Sequence, residues 1–165
     1  SRTVSGDACE LTELLTAVDA MLGEPALFDT VFIDAPCSGT GTMRRHPEIP
    51  WRLTEKDVTV ELPKLQLTML KEAAARVAAG GELIYATCSV FDEENTQVVD
   101  AFLNSPEGAG FSVAPLSEAQ ILQLPEFAQA KKLVAVRQND RGLFQCVPVN
   151  ADSYDGHFCA RLVLK

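Results

Sequence analysis

The chain alternates short apolar segments with longer segments of helical character, and this alternation constrains its fold more than any other feature. Residues 28–33 form a near-continuous apolar run, which is typical of a strand buried on both faces of a parallel sheet. Residues 10–21 and 62–79 have helical spacing and composition, and a second apolar run follows at 82–85. Strands and helices in this order predict a three-layer α/β domain with parallel crossovers.

The last part of the chain departs from this alternation. Residues 143–147 and 157–163 are short strand-like runs, and together they predict a hairpin-like pair. An antiparallel strand at the edge of an otherwise parallel sheet is common, so we expect one at the carboxyl terminus. The remaining predictions are a helix at 94–103 capped by Asp92, an end of the 62–79 helix at Gly80-Gly81, short strands at 111–113 and 134–136, and irregular or short helical chain at 121–132.

The 165 residues and the 47% hydrophobic content fit one globular domain, residues 1–165. No apolar run approaches the roughly 18 residues that span a bilayer, and the first residues lack the regions of a signal peptide. The five cysteines have no framework spacing, and the two histidines are far apart. We therefore expect a cytoplasmic protein with no membrane partner and no metal site.

The net charge of −9 argues against a dedicated nucleic-acid-binding protein, because such proteins usually present a basic face. The positive charge that exists is clustered at Arg44, Arg45 and His46, with Arg52 shortly after. Ordinary solvated loop residues and phosphate-binding residues both fit this cluster, and composition leaves the two explanations open.

Two cysteines follow the two predicted strands in matched positions. Cys37 lies in residues 34–41, DAPCSGTG, and Cys88 lies in residues 85–89, YATCS. Because the chemistry of α/β sheets collects at the carboxyl ends of the strands, the two strands can deliver two thiols to one crevice. Covalent chemistry by a thiol is the function that this pattern favours.

Each cysteine alone also has a structural explanation, as an incidental loop residue or as a buried packing residue. A phosphate-binding P-loop is excluded because no Gly-Lys-Ser or Gly-Lys-Thr follows the glycines. Neither histidine is placed as the base of a cysteine protease. A thiol redox pair is disfavoured because the two cysteines lack a resolving spacing.

At these residues the chain resembles a known family. Residues 34–41 with residues 44–52, RRHPEIPWR, closely resemble the motif IV region of RNA 5-methylcytosine methyltransferases of the Fmu/Sun type. The motif VI region and the closing strand are also similar in order and spacing: Leu65-Gln66, Gly80-Gly81, residues 85–89, Glu94-Asn95, and residues 155–162, DGHFCARL, where His157 stands at a usually aromatic place. The resemblance runs from about residue 5 to residue 165 and is weakest over 105–140.

The resemblance implies a Rossmann-like methyltransferase sheet, S-adenosylmethionine as cofactor and RNA as partner, with ribosomal RNA preferred over tRNA. It implies that Cys88 is the nucleophile that adds to cytosine C6, and that Cys37 assists release of the adduct. Asp34 matches the carboxylate beside the cofactor and the base, and Asp7 matches the acidic position that contacts the adenine. Contacts with RNA phosphate groups then become an explanation for Arg44, Arg45, His46 and Arg52.

The family's glycine-rich cofactor loop and catalytic lysine have no counterpart in this sequence. We therefore expect an incomplete sheet that lacks the first strands, corresponding to the carboxyl-terminal portion of the S-adenosylmethionine-dependent domain. Such a sheet would expose one edge, so we expect either self-association through that edge or its cover by the chain's own amino-terminal segment. A non-catalytic fragment or module that keeps the fold and weak RNA contact is the alternative to an enzyme.

Overall fold

A mixed sheet with helices packed against it organises the computed structural model, which describes residues 6–115, 137–148 and 154–165. The strands within these residues follow the order β1-β2-β6-β5-β4, and β3 also pairs with β6. Their bounds are β1 Phe28–Asp34, β2 Val77–Thr87, β3 Phe111–Val113, β4 Arg137–Gln138, β5 Phe144–Cys146 and β6 His157–Leu164. The helices are α1 Leu11–Leu14, α2 Thr16–Leu22, α3 Ile49–Arg52, α4 Leu62–Ala74 and α5 Thr96–Leu103.

The pairing of β1 with β2 is parallel and positions the two thiol-bearing loops. Its register places Ile33 opposite Tyr85 and Asp34 opposite Ala86, so both strands end at the same edge of the sheet. Alternate residues of β2 are buried in the core, where Leu83 and Tyr85 are fully inaccessible. The predicted α/β fold class is confirmed, with one parallel pair among the strand pairs that the structure describes.

The terminal strand β6 is antiparallel to β2, as expected, but it lies inside the sheet and not at its edge. One side of β6 pairs with β2 from Glu82 to Thr87, and its other side pairs with β3 and β5. The alternate residues Phe158, Ala160 and Leu162 of β6 are buried. A strand that buries such a row of side chains is stabilised by neighbours on both sides, which explains its interior position.

The predicted helix at 62–79 ends earlier than expected, and the prediction that Gly80-Gly81 stops it is wrong. Helix α4 ends at Ala74, and β2 begins at Val77. Gly80 lies within β2 with a positive φ of 74°, next to an irregularity in the pairing with β1. The alanine-rich sequence favours a helix, but the burial of Val77 opposite Phe28 in the sheet outweighs that local preference.

Other predicted elements are closer to the structure. The predicted helix at 10–21 is divided into a 3₁₀ turn at Ala8–Glu10 followed by α1 and α2, and Gly23 ends α2 with a φ of 77°. The predicted cap at Asp92 is wrong, because α5 begins after Asn95, and Asp92 accepts the amides of Asn95 and Gln97 with its backbone oxygen. The predicted strands at 111–113, 143–147 and 157–163 correspond to β3, β5 and β6, whereas the predictions for 121–132 and 134–136 lie outside the described residues.

The prediction that residues 28–33 are buried on both faces is wrong, because β1 is the outer strand on its side of the described sheet and Ile33 is its only buried residue. Phe32 is 62% exposed on it, and Leu27 immediately before it is 56% exposed. This observation agrees with the expected open edge, and self-association through it stays a prediction. None of the helices in the described ranges has both the length and the apolar character needed to span a bilayer.

Candidate active site

The loops that follow β1 and β2 bring the two predicted cysteines into contact. The amide of Ala35 donates to the carbonyl of Ala86 at 2.9 Å, which continues the ladder past the end of β1. Beyond this point the Sγ atoms of Cys37 and Cys88 lie 3.3 Å apart, and both residues are half-buried. The prediction that two strand ends deliver two thiols to one place is confirmed.

The surroundings of Cys37 favour the protonated form of its thiol. Burial, and then the hydrogen bond with Cys88, raise the pKa of Cys37 to about 12. Cys37 is therefore a neutral thiol at physiological pH, and its S–H group can donate to the sulfur of Cys88. Cys37 is thus held as a protonated partner of the Cys88 sulfur.

A cavity of about 280 Å³ opens beside the thiol pair. It is lined by Cys37 and Ser38 of the first loop and by Ile49, Arg52 and Leu53 from helix α3 and the residue after it. The cavity combines a thiol, a hydroxyl and a guanidinium group with two aliphatic side chains. Such a lining can accept a flat polar ring beside an anionic group.

Two glycines fix the first loop against the start of β6. The amide of Gly41 donates to the carbonyl of Cys88 at 2.8 Å, and the amide of Gly156 donates to the carbonyl of Gly41 at 2.8 Å. A Cβ atom on Gly41 would lie 2.7 Å from the carbonyl carbon of Gly156 and closer still to its oxygen. Only glycine fits such a close backbone approach, so three separate segments of the chain meet here without side chains between them.

Behind the thiols lies a buried polar network centred on Glu94, which is fully inaccessible. One carboxylate oxygen accepts the amide of Ser38 at 2.8 Å and the Nε2 of Gln66 at 3.0 Å, and the other accepts the hydroxyl of Ser89 at 2.6 Å. The residue pattern singles out Glu94 only within the family resemblance, with no role attached. A buried partner of this kind has a weak sequence signal, because Glu94 stands in an acidic segment that is typical of an exposed loop.

The neighbouring residues of this network hold the second loop itself. Thr87 donates from its hydroxyl to Oδ1 of Asn95 at 2.6 Å, and Nδ2 of Asn95 donates to the carbonyl of Ser89 at 2.9 Å. The hydroxyl of Tyr85 donates to the backbone carbonyl of Glu94 at 2.6 Å. Burial raises the pKa of Tyr85 far above its ordinary value, so this hydroxyl stays a donor.

One of the two predicted cofactor residues, Asp34, lines a second cavity of about 280 Å³ on the open side of β1. Asp34 is exposed at the end of β1 and lines this cavity, whose other walls are mainly apolar and come from Ala8, Leu11, Val31, Phe32, Ile33, Met69 and Ala73. Asp7 precedes Ala8, and its side chain accepts the amide of Cys9 at 2.8 Å. An apolar wall with a carboxylate at its end fits a ligand that has a flat ring and a positive charge, which are the chemical features of S-adenosylmethionine.

Three of the four predicted basic residues lie at ion-pair distance from a carboxylate, and the fourth lines the cavity beside Cys37. Arg45 Nε donates to Asp155 at 2.6 Å, and Arg44 lies 3.7 Å from the same carboxylate, which is ion-pair distance but too long for a hydrogen bond. His46 lies 3.4 Å from Glu48. Arg52 lines the cavity beside Cys37. Asp155 therefore offsets part of the charge of two arginines, and sequence reasoning missed this residue as their partner.

An α/β sheet that presents paired thiols at the ends of adjacent parallel strands agrees with the family that the sequence resembles. Residues 6–163 match the family described as 16S rRNA methyltransferase RsmB/F. The chain belongs to this family.

Two curated relatives illustrate the similarity. The chain is 36% identical over 140 residues to ribosomal RNA small subunit methyltransferase B of Pectobacterium atrosepticum, which covers 85% of this chain and 27% of that protein. It is 47% identical over 85 residues to the protein of the same name from Salmonella arizonae, which covers 52% of this chain and 20% of that protein. The chain thus spans about a quarter or less of the length of these relatives.

Two solved structures share the fold. The protein PH0851 is 32% identical with a TM-score of 0.65, and the match covers 86% of this chain and 28% of that one. NSun6 from Pyrococcus horikoshii, solved with SFG, is 20% identical with a TM-score of 0.69, and the match covers 99% of this chain and 34% of that one. The second likeness concerns the fold alone.

Proposed function

We propose that this chain is the thiol-bearing part of an S-adenosylmethionine-dependent enzyme that methylates cytosine C5 in small-subunit ribosomal RNA. The observation that carries the proposal is the 3.3 Å contact between the sulfur atoms of Cys37 and Cys88 at the ends of adjacent parallel strands. The family and the names of the relatives support ribosomal RNA as the substrate. SFG, an analogue of S-adenosylmethionine in the NSun6 structure, supports S-adenosylmethionine as the cofactor.

The proposed reaction begins at Cys88. Cytosine C5 is a poor nucleophile until a group adds to C6, because only then does the ring become enamine-like. The Cys88 sulfur forms a bond to C6, and the electron pair of the C5–C6 double bond moves to C5. Bound S-adenosylmethionine would supply an electrophilic methyl group for C5, and its methyl–sulfur bond would break to leave S-adenosylhomocysteine. Loss of the proton from C5 then returns the electron pair to the ring and breaks the bond between sulfur and C6.

Cys37 assists this last step in the proposal. Its raised pKa keeps its proton in place at neutral pH, and its sulfur lies next to the sulfur that must leave C6. A neutral thiol at this position can donate a hydrogen bond to the departing Cys88 sulfur and stabilise the negative charge that this sulfur gains as its bond to C6 breaks. The C5 proton passes to solvent and Cys88 leaves as the thiolate that began the cycle, so the protons balance.

The cofactor and the RNA are assigned to the two sides of the loop that carries Cys37. Asp34 and the apolar wall behind it would hold the cofactor, with Asp7 at the adenine end, on the open side of β1. Arg52 is the basic residue of the cavity that contains Cys37, and we assign it to an RNA phosphate near the target base. Arg44 and Arg45 contribute less to RNA binding in this proposal, because Asp155 holds both.

Substitution of each thiol in the full-length protein tests the roles. Cys88→Ala should abolish methyl transfer, because no covalent adduct forms. Cys37→Ala should accumulate a covalent protein–RNA adduct, visible as a gel-shifted band, because release is slowed. Cys146→Ala is the matched control, since Cys146 is a half-buried cysteine on β5 that belongs to neither loop.

Retained turnover in Cys88→Ala, or an adduct in that variant, would overturn the assignment of the nucleophile. Bisulfite sequencing of RNA from cells that lack the gene identifies the substrate. Loss of one 5-methylcytosine from small-subunit ribosomal RNA is expected, whereas a loss confined to tRNA would refute the proposed substrate.

A further inference from the structure

We infer that Glu94 is a positioning residue that sets the distance between Cys37 and Cys88. The consequence of this role for methyl transfer rests on the proposed function, whereas the distance itself can be measured without any reaction on RNA. Glu94 lies in the turn before α5 and touches neither sulfur in the hydrogen bonds that the structure describes. It therefore acts through the backbone and side chains on either side of the thiols.

The bonds of Glu94 reach the residue that follows each cysteine. Oε2 accepts the backbone amide of Ser38, directly after Cys37, at 2.8 Å. Oε1 accepts the hydroxyl of Ser89, directly after Cys88, at 2.6 Å. One carboxylate therefore joins the two loops at equivalent positions, one residue beyond each sulfur.

Gln66 adds a third point of attachment on the other side of Cys37. Its Nε2 donates to Oε2 of Glu94 at 3.0 Å and to the carbonyl of Pro36 at 3.0 Å. The two residues that flank Cys37 are thus both tied, directly or through Gln66, to the same carboxylate. Because Gln66 and Glu94 are fully buried, water does not compete for these bonds.

A carboxylate is required at this position because the groups around it are hydrogen-bond donors. Three donors converge on the group from Ser38, Gln66 and Ser89, and a carboxylate can accept from all of them because it carries no proton donor of its own. A glutamine in its place has the same shape but presents an NH₂ group to at least one of these donors. Of the three, only the Ser89 hydroxyl can turn to accept, and it already accepts the Phe91 amide at 3.1 Å and the Ser38 hydroxyl at 3.2 Å. The NH₂ group therefore breaks one of the bonds around the two loops and loosens the link between them.

Other bonds join the loops directly, from the Ser38 hydroxyl to the Ser89 hydroxyl at 3.2 Å and from the Val90 amide to the Thr40 hydroxyl at 3.1 Å. The side chains of Asn95 and Tyr85 do not join the loops, because Asn95 bonds only Thr87 at the end of β2 and Ser89 in the described network. Tyr85 bonds the backbone carbonyl of Glu94 and not its carboxylate. Tyr85→Phe is therefore a matched control, because it removes a buried hydrogen bond at the same residue and leaves the link between the loops intact.

The test measures the proximity of the thiols with dibromobimane, a short reagent that joins two nearby thiols by displacing two bromide ions. The full-length protein and its variants are treated with the reagent, and mass spectrometry of peptides gives the ratio of Cys37–Cys88 crosslink to single addition. We expect Glu94→Gln to lower this ratio about tenfold, because it removes the pre-organised approach of the two groups. Tyr85→Phe should stay within about twofold of the unmodified protein, because it costs only one hydrogen bond away from the loops.

Gln66→Leu is a second variant in case Glu94→Gln does not fold, which circular dichroism and thermal unfolding would reveal. It removes the attachment to Pro36 and one of the three donors but keeps the bonds of Glu94 to Ser38 and Ser89, so a smaller decrease of the ratio is expected. A ratio unchanged in both folded variants would overturn the proposal. An equal decrease in Tyr85→Phe would also overturn it, because the effect would then be general loosening.

Methyl transfer supplies the second measurement. In the folded Glu94→Gln variant we expect kcat to fall by about a hundredfold, with little change in KM for RNA, because misplaced reacting groups impair the chemical step more than binding. A rise in KM at unchanged kcat would refute the positioning role. If the unmodified protein fails to methylate ribosomal RNA, the proposed function fails, and the crosslinking ratio still decides the role of Glu94.

Discussion

Replacement of Gly41 by alanine is the sharpest test of how the thiol loops are held together. The backbone of Gly41 does not have a positive φ, so alanine is acceptable there in conformation and the whole effect comes from contact. The new Cβ atom would lie 2.7 Å from the carbonyl carbon of Gly156 and closer still to its oxygen. Both neighbours are backbone atoms, so no side-chain rotation can relieve the overlap.

The expected loss of unfolding free energy follows from the backbone contacts that the new methyl group would break. Gly41 and Gly156 must move apart, which breaks the bond from Gly156 to Gly41 and weakens the bond from Gly41 to the carbonyl of Cys88. Each such bond contributes about 1 kcal/mol net, and overpacking adds about 1–3 kcal/mol, so Gly41→Ala should lower the free energy of unfolding by about 2–5 kcal/mol. This is a large fraction of the stability of an ordinary domain.

Gly80→Ala is the control for this measurement. Gly80 has a positive φ of 74°, and no atom of the described residues lies within 4 Å of the point where a Cβ would stand. Its substitution should lower the free energy of unfolding by about 1–2 kcal/mol through backbone strain alone. Urea unfolding followed by circular dichroism gives both values. If Gly41→Ala were no more destabilising than Gly80→Ala, the close contact of the loop with Gly156 would be refuted.

Two further predictions concern the thiol pair and the acid side of the stability curve. Treatment with hydrogen peroxide should form a disulfide between Cys37 and Cys88, because their sulfur atoms already lie 3.3 Å apart. Mass spectrometry of unreduced peptides detects this bond, and preferential linkage to other cysteines would contradict the geometry. The pKa of Asp19 is lowered by the amide of Ala26 and by the buried Arg76, so its contribution to stability is present above about pH 4 and is lost as the pH falls through the lowered pKa. Asp19→Asn should therefore be less stable at neutral pH and lose less on acidification, and parallel stability curves for the two proteins would refute this reasoning.

The parts of the fold that follow from local pattern could be predicted from the sequence. The run before Cys37 is a strand, as its aromatic and β-branched residues predict, and Gly23 ends α2 because glycine readily adopts the left-handed conformation. The junction at Ala74–Val77 was not predictable in this way, because the alanine-rich segment has helical propensity up to Gly80. Long-range pairing of Val77 with Phe28 decides that boundary, and local propensity contains no information about it.

The candidate site likewise contains residues that the sequence predicts and residues that it does not. The positions of Cys37, Cys88 and Asp34 follow from the rule that chemistry collects at the carboxyl ends of parallel strands. The partners Glu94 and Asp155 were not predictable as such, because each meets its targets only when distant segments have packed. An acidic residue in a polar segment has the same local appearance whether it is solvated or fully buried, and only the folded structure distinguishes the two cases.

The register of the parallel pair is what finally brings the two sulfur atoms together. Asp34 lies opposite Ala86, so Cys37 and Cys88 leave the sheet at the same edge on chains that neighbour each other at the spacing of adjacent strands, about 4.8 Å. A shift of one residue in this register would turn the side chains of one strand to the opposite face, and it would bury Ile33 and Tyr85 on different sides. The core therefore fixes the register, and the register fixes the separation of the thiols to within the reach of the loops. Glu94 and the contact of Gly41 with Gly156 then need to settle only the last few ångströms, which is why a few buried contacts suffice to hold a reactive pair.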